Sequence, residues 1–138
     1  MAGGKDWARR RAPDLGEIEE LAAAAWARLP RTFRDLCGNV VVRVEDFPTE
    51  EVLAELKLES SFDLMGLYHG VSFDKKSVMD LPRGPDMVLL YRRPLLDCWA
   101  EGGETLGHLV AHILVHEIGH HFGLSDADME RIEASCED

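Results

Sequence analysis

The chain lacks the features that mark several common protein classes. Its 138 residues hold three cysteines, Cys37, Cys98 and Cys136. An odd, widely spaced set builds neither a disulfide framework nor a cysteine zinc site. No apolar run approaches the ~20 residues that a membrane-spanning helix needs. The first fifteen residues are charged and have no apolar centre, so no secretory signal is read there and the cytoplasm is the expected compartment. Positive charge is scarce: Lys and Arg number 15 against 26 Asp and Glu, giving a net charge of −11 and a pI near 4.9. That balance is a poor match for nucleic acid or an anionic membrane, and neither is an expected partner. Internal repeats and low-complexity segments are absent as well.

What is present fits one soluble domain. Hydrophobic residues make up 46% and charged residues 30%. A chain of this length buries about two-thirds of its unfolded surface and needs no staple to fold. The charge is uneven. Residues 1–12 carry Lys5, Arg9, Arg10 and Arg11 against Asp6, whereas residues 125–138 carry six acids against Arg131. The basic head, residues 1–13, reads as a flexible solvated lead, with a small nucleic-acid or protein contact as the other reading. Residues 14–138 read as a single domain.

Periodicity and breakers then place the elements. Asp14 is an N-cap with Glu17 three residues on, and Ile18, Leu21, Ala22, Ala25 and Leu29 make an apolar stripe, so residues 14–28 predict a helix that Pro30 ends. Residues 39–44 (NVVVRV) predict a strand, expected in the sheet interior. Pro48 and Thr49 open a short helix through Val52, Leu53 and Leu56. Residues 64–71 (LMGLYHGV) predict a short strand at a sheet edge, and residues 73–84 are polar and turn-rich. Residues 86–92 predict a second confident strand. Pro94 starts a short helix through Trp99, which Gly102 and Gly103 break. Residues 104–122 predict a long helix, and Ser125 or Asp126 caps a last one. This order implies an α+β class, a small sheet with helices packed mainly on one face.

The long helix carries the chemistry. Leu106, Leu109, Val110, Ile113, Leu114, Val115, Ile118 and Phe122 surround most of it, so its polar residues are informative. His108, His112, His116 and His120 recur every fourth residue as one slanted stripe, with His121 off it. One metal cannot be reached from four turns that each rise about 5.4 Å. The pattern His116-Glu117-Ile118-Gly119-His120, with Gly123 and Asp126, selects two of them. Residues four apart on a helix point the same way, so His116 and His120 can share one Zn2+ while Glu117 acts as base on a metal-activated water. A catalytic zinc needs a third protein ligand and one open position. Gly123 suits a left-handed helix stop that turns the chain back, and Asp126 can then supply a hard oxygen. The competing role for Asp126 is a helix cap; Asp128, Glu130 and Glu133 are the other candidate ligands. His112 either orients a ligand or a neighbouring carboxylate, or is a core histidine. His108 and His121 read as structural or exposed.

HExxHxxGxxD resembles the zincin metallopeptidases whose third ligand is aspartate. Residues 112–126 (HILVHEIGHHFGLSD), supported by GLYHGV around Leu67, Tyr68, His69 and Gly70 and by LLYRRPL at 89–95, are similar to small bacterial zincin-like proteins called mini-zincins. The resemblance runs from about residue 14 onward. It implies a minimal zincin-like domain with a small mixed sheet and an active-site helix at about 104–122. It implies one Zn2+ per chain on His116, His120 and Asp126, with Glu117 as catalytic base. One departure from the larger metzincins stands out. Their third ligand is usually histidine and a methionine-bearing turn follows well downstream, whereas twelve residues follow Asp126 here. The floor of the site is expected from Met129, Ile132 or the strands.

The expected activity is peptide-bond hydrolysis on a peptide or protein substrate, by a monomer or homodimer. Tyr68, His69 and Tyr91 are the candidate oxyanion donors, although Tyr91 also suits core packing in its strand. Arg92 and Arg93 read as ion-paired or solvated rather than as a carboxylate clamp. Trp26 and Trp99 read as core or interface aromatics, and Cys98 lacks a positioned base for thiol catalysis. The alternative class is a non-catalytic module of the same shape that binds metal or a protein partner.

Overall fold

The computed structural model describes residues 6–70 and 86–136. Residues 1–5 of the basic lead, Val71 and the polar stretch 73–84 lie outside the described residues. Among the described residues are α1 (Leu15–Arg28), α2 (Arg31–Cys37), β1 (Val40–Glu45), α3 (Glu50–Glu55), β2 (Gly66–His69), β3 (Asp86–Tyr91), α4 (Arg92–Glu101), α5 (Leu106–His121) and α6 (Asp126–Ala134). The strands form one mixed sheet in the order β1-β3-β2, with β1 parallel and β2 antiparallel to β3. This is a small α+β domain. Among the described residues no helix is long and apolar enough to cross a membrane.

Local chemistry explains the ends of the helices. Asp14 and Glu17 form a reciprocal capping box, at 2.8 and 2.9 Å, which starts α1 as the spacing predicts. Pro30 stops α1, but it also begins α2, a helix the sequence reading did not place. The fixed φ of proline suits a helix entrance as well as an exit, and Phe33 and Cys37 lie one turn apart to bury its inner side. Thr49 caps α3 through Val52 N–H, and Thr105 caps α5 through His108 N–H. Ahead of α1, Trp7–Arg9 make one 3₁₀ turn, and Arg92 donates to the Pro13 carbonyl at 2.6 Å.

The strand expected in the interior is an edge. Among the described residues β1 pairs only with β3, and Val41 stays 40% exposed. Its β-branched run signals a strand, but Arg43 interrupts it and only alternate residues turn inward. The central strand is β3, whose Val88 and Leu90 are fully buried. α1 and α5 pack on each other and on this sheet, α1 against β1 and α5 against β2 and β3. Ile18, Ala22, Val88, Leu90, Leu95, Val110, Leu114 and Ile118 make the centre of the core between these layers. Trp26 and Trp99 are half-buried against it. Arg92 pairs with Asp46 at 2.9 Å and Arg93 lies over the Phe47 ring, so both arginines have local work at the strand end.

Two close contacts fix α5. At Gly66 a Cβ would meet Ile113 Cγ2 at 2.8 Å, so β2 needs glycine to lie this near the helix. At Gly119 a Cβ would meet Met129 Sδ at 2.3 Å and Cγ at 2.8 Å, so glycine lets the fully buried Met129 of α6 seat on α5. Gly119→Ala is therefore expected to lower the free energy of unfolding by about 1–3 kcal/mol, the usual cost of overpacking, read from the midpoint of urea denaturation. An unchanged midpoint would show that Met129 is not held there.

Cys37 ends α2 inside the core and donates to the Phe33 carbonyl. Burial pushes its thiol up to about 11. The proton is thus held more tightly in the folded chain than in the unfolded one. The stability this contributes is complete below the unfolded value near 9 and is lost as pH rises through about 11. In the native protein at pH 8, Cys37 should resist an aromatic disulfide reagent and become reactive once urea unfolds the chain. Mass mapping of the labelled cysteines checks this.

Candidate metal centre

The site begins with how α5 stops. Its last turn closes at Phe122, and Gly123 takes φ +73°, the left-handed conformation expected from the sequence. Gly123 N–H then donates to the His120 carbonyl at 3.1 Å, and Leu124 N–H to the Gly119 carbonyl at 2.9 Å. These two bonds are a Schellman stop, which satisfies the last carbonyls and reverses the chain. Ser125 begins α6. Its hydroxyl accepts from Asp128 N–H, while the Asp128 carboxylate accepts from Ser125 N–H. Ser125 and Asp128 thus do the capping, and the exposed Asp126 at the first helical position is released from that role.

α6 packs back along α5, and the donors meet across the two helices. Ligand atoms of His116, His120 and Asp126 lie within 4.8 Å of one another. The chemistry of the set, two imidazoles and one carboxylate, fits Zn2+. His116 is half-buried, and its pKa is lowered, first by burial and next by the neighbouring His112, with Glu133 and Asp126 pulling the other way. A lowered value keeps the imidazole neutral, the form that can ligate a metal. The four histidines of the stripe form the more open side of α5, while the apolar residues around them are buried.

Glu117 sits one residue on, facing β2. Tyr91 N–H donates to the Met65 carbonyl at 2.9 Å, which makes that cross-strand pair a hydrogen-bonded one. Gly66 and Tyr68 therefore occupy the alternate positions of β2, with backbone groups directed off the sheet edge. Glu117 accepts a hydrogen bond from the Tyr68 backbone N–H. Burial raises the Glu117 pKa, and His120 and this N–H oppose the rise. The backbone link was not visible in the sequence, because it depends on strand register rather than on a residue type.

The three candidate oxyanion donors are placed differently from that expectation. The Tyr68 hydroxyl donates to Asp86 at 2.8 Å, and its ring stacks on His121 at 3.8 Å between centroids. Its pKa is raised by burial and by Asp86. Tyr91 is 1% exposed in the core, with its phenol pushed up by burial first and then by Glu45 and Glu117. His69 alternates to the sheet face opposite Gly66 and Tyr68, away from α5. His108 is exposed and pairs with Glu104 at 2.6 Å. His112 reaches the Glu133 carboxylate at 2.8 Å. Clefts of about 590 Å³ beside Trp7 and Trp99 and about 550 Å³ beside Phe33 and Arg131 are lined by none of the metal donors.

The profile of the zincin-like metallopeptidases matches residues 37–135. The chain belongs to the zincin-like metallopeptidase family. The match takes in the whole sheet, α5 and α6, and leaves α1 outside it. A comparison with curated proteins returns no match. For this zincin-like domain the Met129 contact is the notable local feature. It supplies a buried methionine beneath the helix that carries His116 and His120, within the same short helix that carries Asp126.

The capping box is directly testable. Ser125→Ala is expected to destabilise the fold by about 1 kcal/mol, seen as an earlier thermal transition by circular dichroism. Asp126→Asn, which leaves the box intact, should leave that transition of the metal-free protein nearly unmoved. A large shift with Asp126→Asn would return Asp126 to a capping role.

Proposed function

We propose that this protein is a zinc-dependent metallopeptidase in which His116, His120 and Asp126 hold one Zn2+ and Glu117 is the general base. The observation that carries this reading is the convergence of those three donors from two helices, within 4.8 Å, beside a largely buried glutamate. Three protein donors leave a position open for chemistry, whereas a structural zinc takes four. Zn2+ held there would polarise the scissile carbonyl and acidify a water.

The residues of the chain supply the rest. Glu117 takes the proton of the attacking water on a carboxylate oxygen and returns it to the nitrogen of the leaving amine. Burial makes its carboxylate a stronger base, and the Tyr68 N–H holds it in place beside β2. Neutral His116 keeps its lone pair available. The backbone of β2 at Gly66 faces outward, and an extended peptide adding to that edge would run alongside α5. The substrate is accordingly a peptide or an unfolded stretch of protein. The cytoplasm suits a chain with three widely spaced cysteines.

A second reading, a non-catalytic module, draws support from one observation. Among the described residues, neither the Tyr68 hydroxyl nor the buried Tyr91 nor His69 is presented to the metal donors as an oxyanion partner. The two readings separate in one experiment. Wild type from a zinc-replete preparation should carry one zinc per chain, and Glu117→Gln should keep it. Hydrolysis of an unstructured protein should fall by about 10²-fold or more in the variant, the usual contribution of a positioned base. Equal turnover in both proteins would remove Glu117 from the role, and wild type without zinc would favour the module.

A further inference from the structure

A second group of donors lies one turn up the same stripe. Glu133 is carried by α6, seven residues after Asp126, and so lies two turns along nearly the same face. His112 precedes His120 by eight residues on α5. The two helices are packed so that Asp126 meets the His120 end of the stripe and Glu133 meets the His112 end. His116 lies between them. Its ring is 4.1 Å from that of His112 and 5.6 Å from that of His120, measured between centroids.

The spacing within this group is that of ligands rather than of a closed ion pair. His112 Nδ1 lies 2.8 Å from one Glu133 oxygen, an ordinary hydrogen bond. His116 Nε2 lies 4.0 Å from the other Glu133 oxygen, too far for a hydrogen bond. Two atoms bound to one tetrahedral zinc at about 2.1 Å each stand about 3.4 Å apart, so that gap nearly matches a shared ion. Ligand atoms of all three residues fall within 4.8 Å of one another. The Glu133 side chain keeps only 20% of its exposure and points its two oxygens at two different imidazoles. A hydrogen bond to His112 alone would need only one of them.

We propose that His112, His116 and Glu133 form a second divalent-metal position, which competes with the first for His116. The competition follows from valence. A neutral imidazole has one lone pair to give, so His116 serves one ion at a time. Metal at the upper position would leave His120 and Asp126 without their shared partner. The proposal rests on the first site only through that shared histidine.

Cobalt(II), titrated into metal-free protein and followed by its visible absorption, tests this without any substrate. The His120→Ala/Asp126→Ala variant removes the two donors that belong to the first set alone. Both side chains are exposed, so the fold should persist, which far-UV circular dichroism checks. That variant should still bind one Co2+ per chain, and adding Glu133→Ala should abolish the binding. In the otherwise unchanged chain, Glu133→Ala should keep one Co2+. Wild type binding Co2+ while the double variant binds none would overturn the second position and leave the proposed catalytic site standing. Wild type binding none would count against the catalytic site, and the double variant would still decide the second. Persistent binding after Glu133→Ala is added, or loss of Co2+ from Glu133→Ala alone, would also overturn it. Should the double variant fail to fold, His120→Ala alone carries the same comparison.

Discussion

The seating of Met129 on Gly119 is the contact on which the metal centre depends. Asp126 and Glu133, the carboxylates that reach His112, His116 and His120, both come from α6, and α6 is held to α5 through this buried methionine. A side chain as large as alanine at position 119 would meet the sulfur at 2.3 Å. Gly119 is costly in a helix interior, by about 1 kcal/mol relative to alanine. The close approach offsets that cost, since it brings Asp126 and Glu133 within reach of imidazoles on the neighbouring helix. The Schellman stop at Gly123 and the Ser125–Asp128 box complete the arrangement. One sets the direction in which the chain returns, and the other sets the residue at which α6 begins.

A second constraint acts from the other side of α5. β2 lies close enough to the helix that Gly66 cannot carry a side chain, and a Cβ there would also sit 3.2 Å from Glu117 Cγ. That proximity both buries Glu117 and brings it to the Tyr68 N–H. The two effects oppose each other. Desolvation alone would favour a neutral acid, which could not accept a proton. The nearby His120 and a backbone donor oppose that rise. Among the described residues β2 pairs with β3 alone, which leaves the Tyr68 N–H free of the sheet ladder.

Much of this was legible in the sequence, for reasons that are local. Asp14 with Glu17 before α1 and Gly123 after α5 are signals whose physics lies within a few residues. The His116, Glu117 and His120 spacing is a property of one helix, and it survives folding unchanged. What was not legible depends on distance in the chain. The rank of β1 in the sheet follows from which strand lies in the middle, and its valines could not reveal that. α2 was hidden because Pro30 reads equally as an end and as a beginning. The sequence left His112 between orienting a ligand or an unnamed carboxylate and a core role, and its contact with Glu133 appears only once α6 docks on α5. The tyrosines misled for the same reason. Tyr68 contributes its backbone to the site, while its hydroxyl goes to Asp86 and its ring to His121.

The methionine that packs under the histidine helix comes from the same helix as Asp126 and Glu133. α6 is nine residues long and carries Asp126 on its first turn, Met129 one turn further on and Glu133 near its end. Residues 126, 129 and 133 follow the three- and four-residue spacing that keeps side chains on one side of a helix. The face that anchors α6 is therefore also the face that carries Asp126 and Glu133 toward the histidine stripe. Such economy couples the two functions. Any substitution that shifts Met129 moves Asp126 and Glu133 together, so packing at Gly119 governs the histidine stripe at both ends.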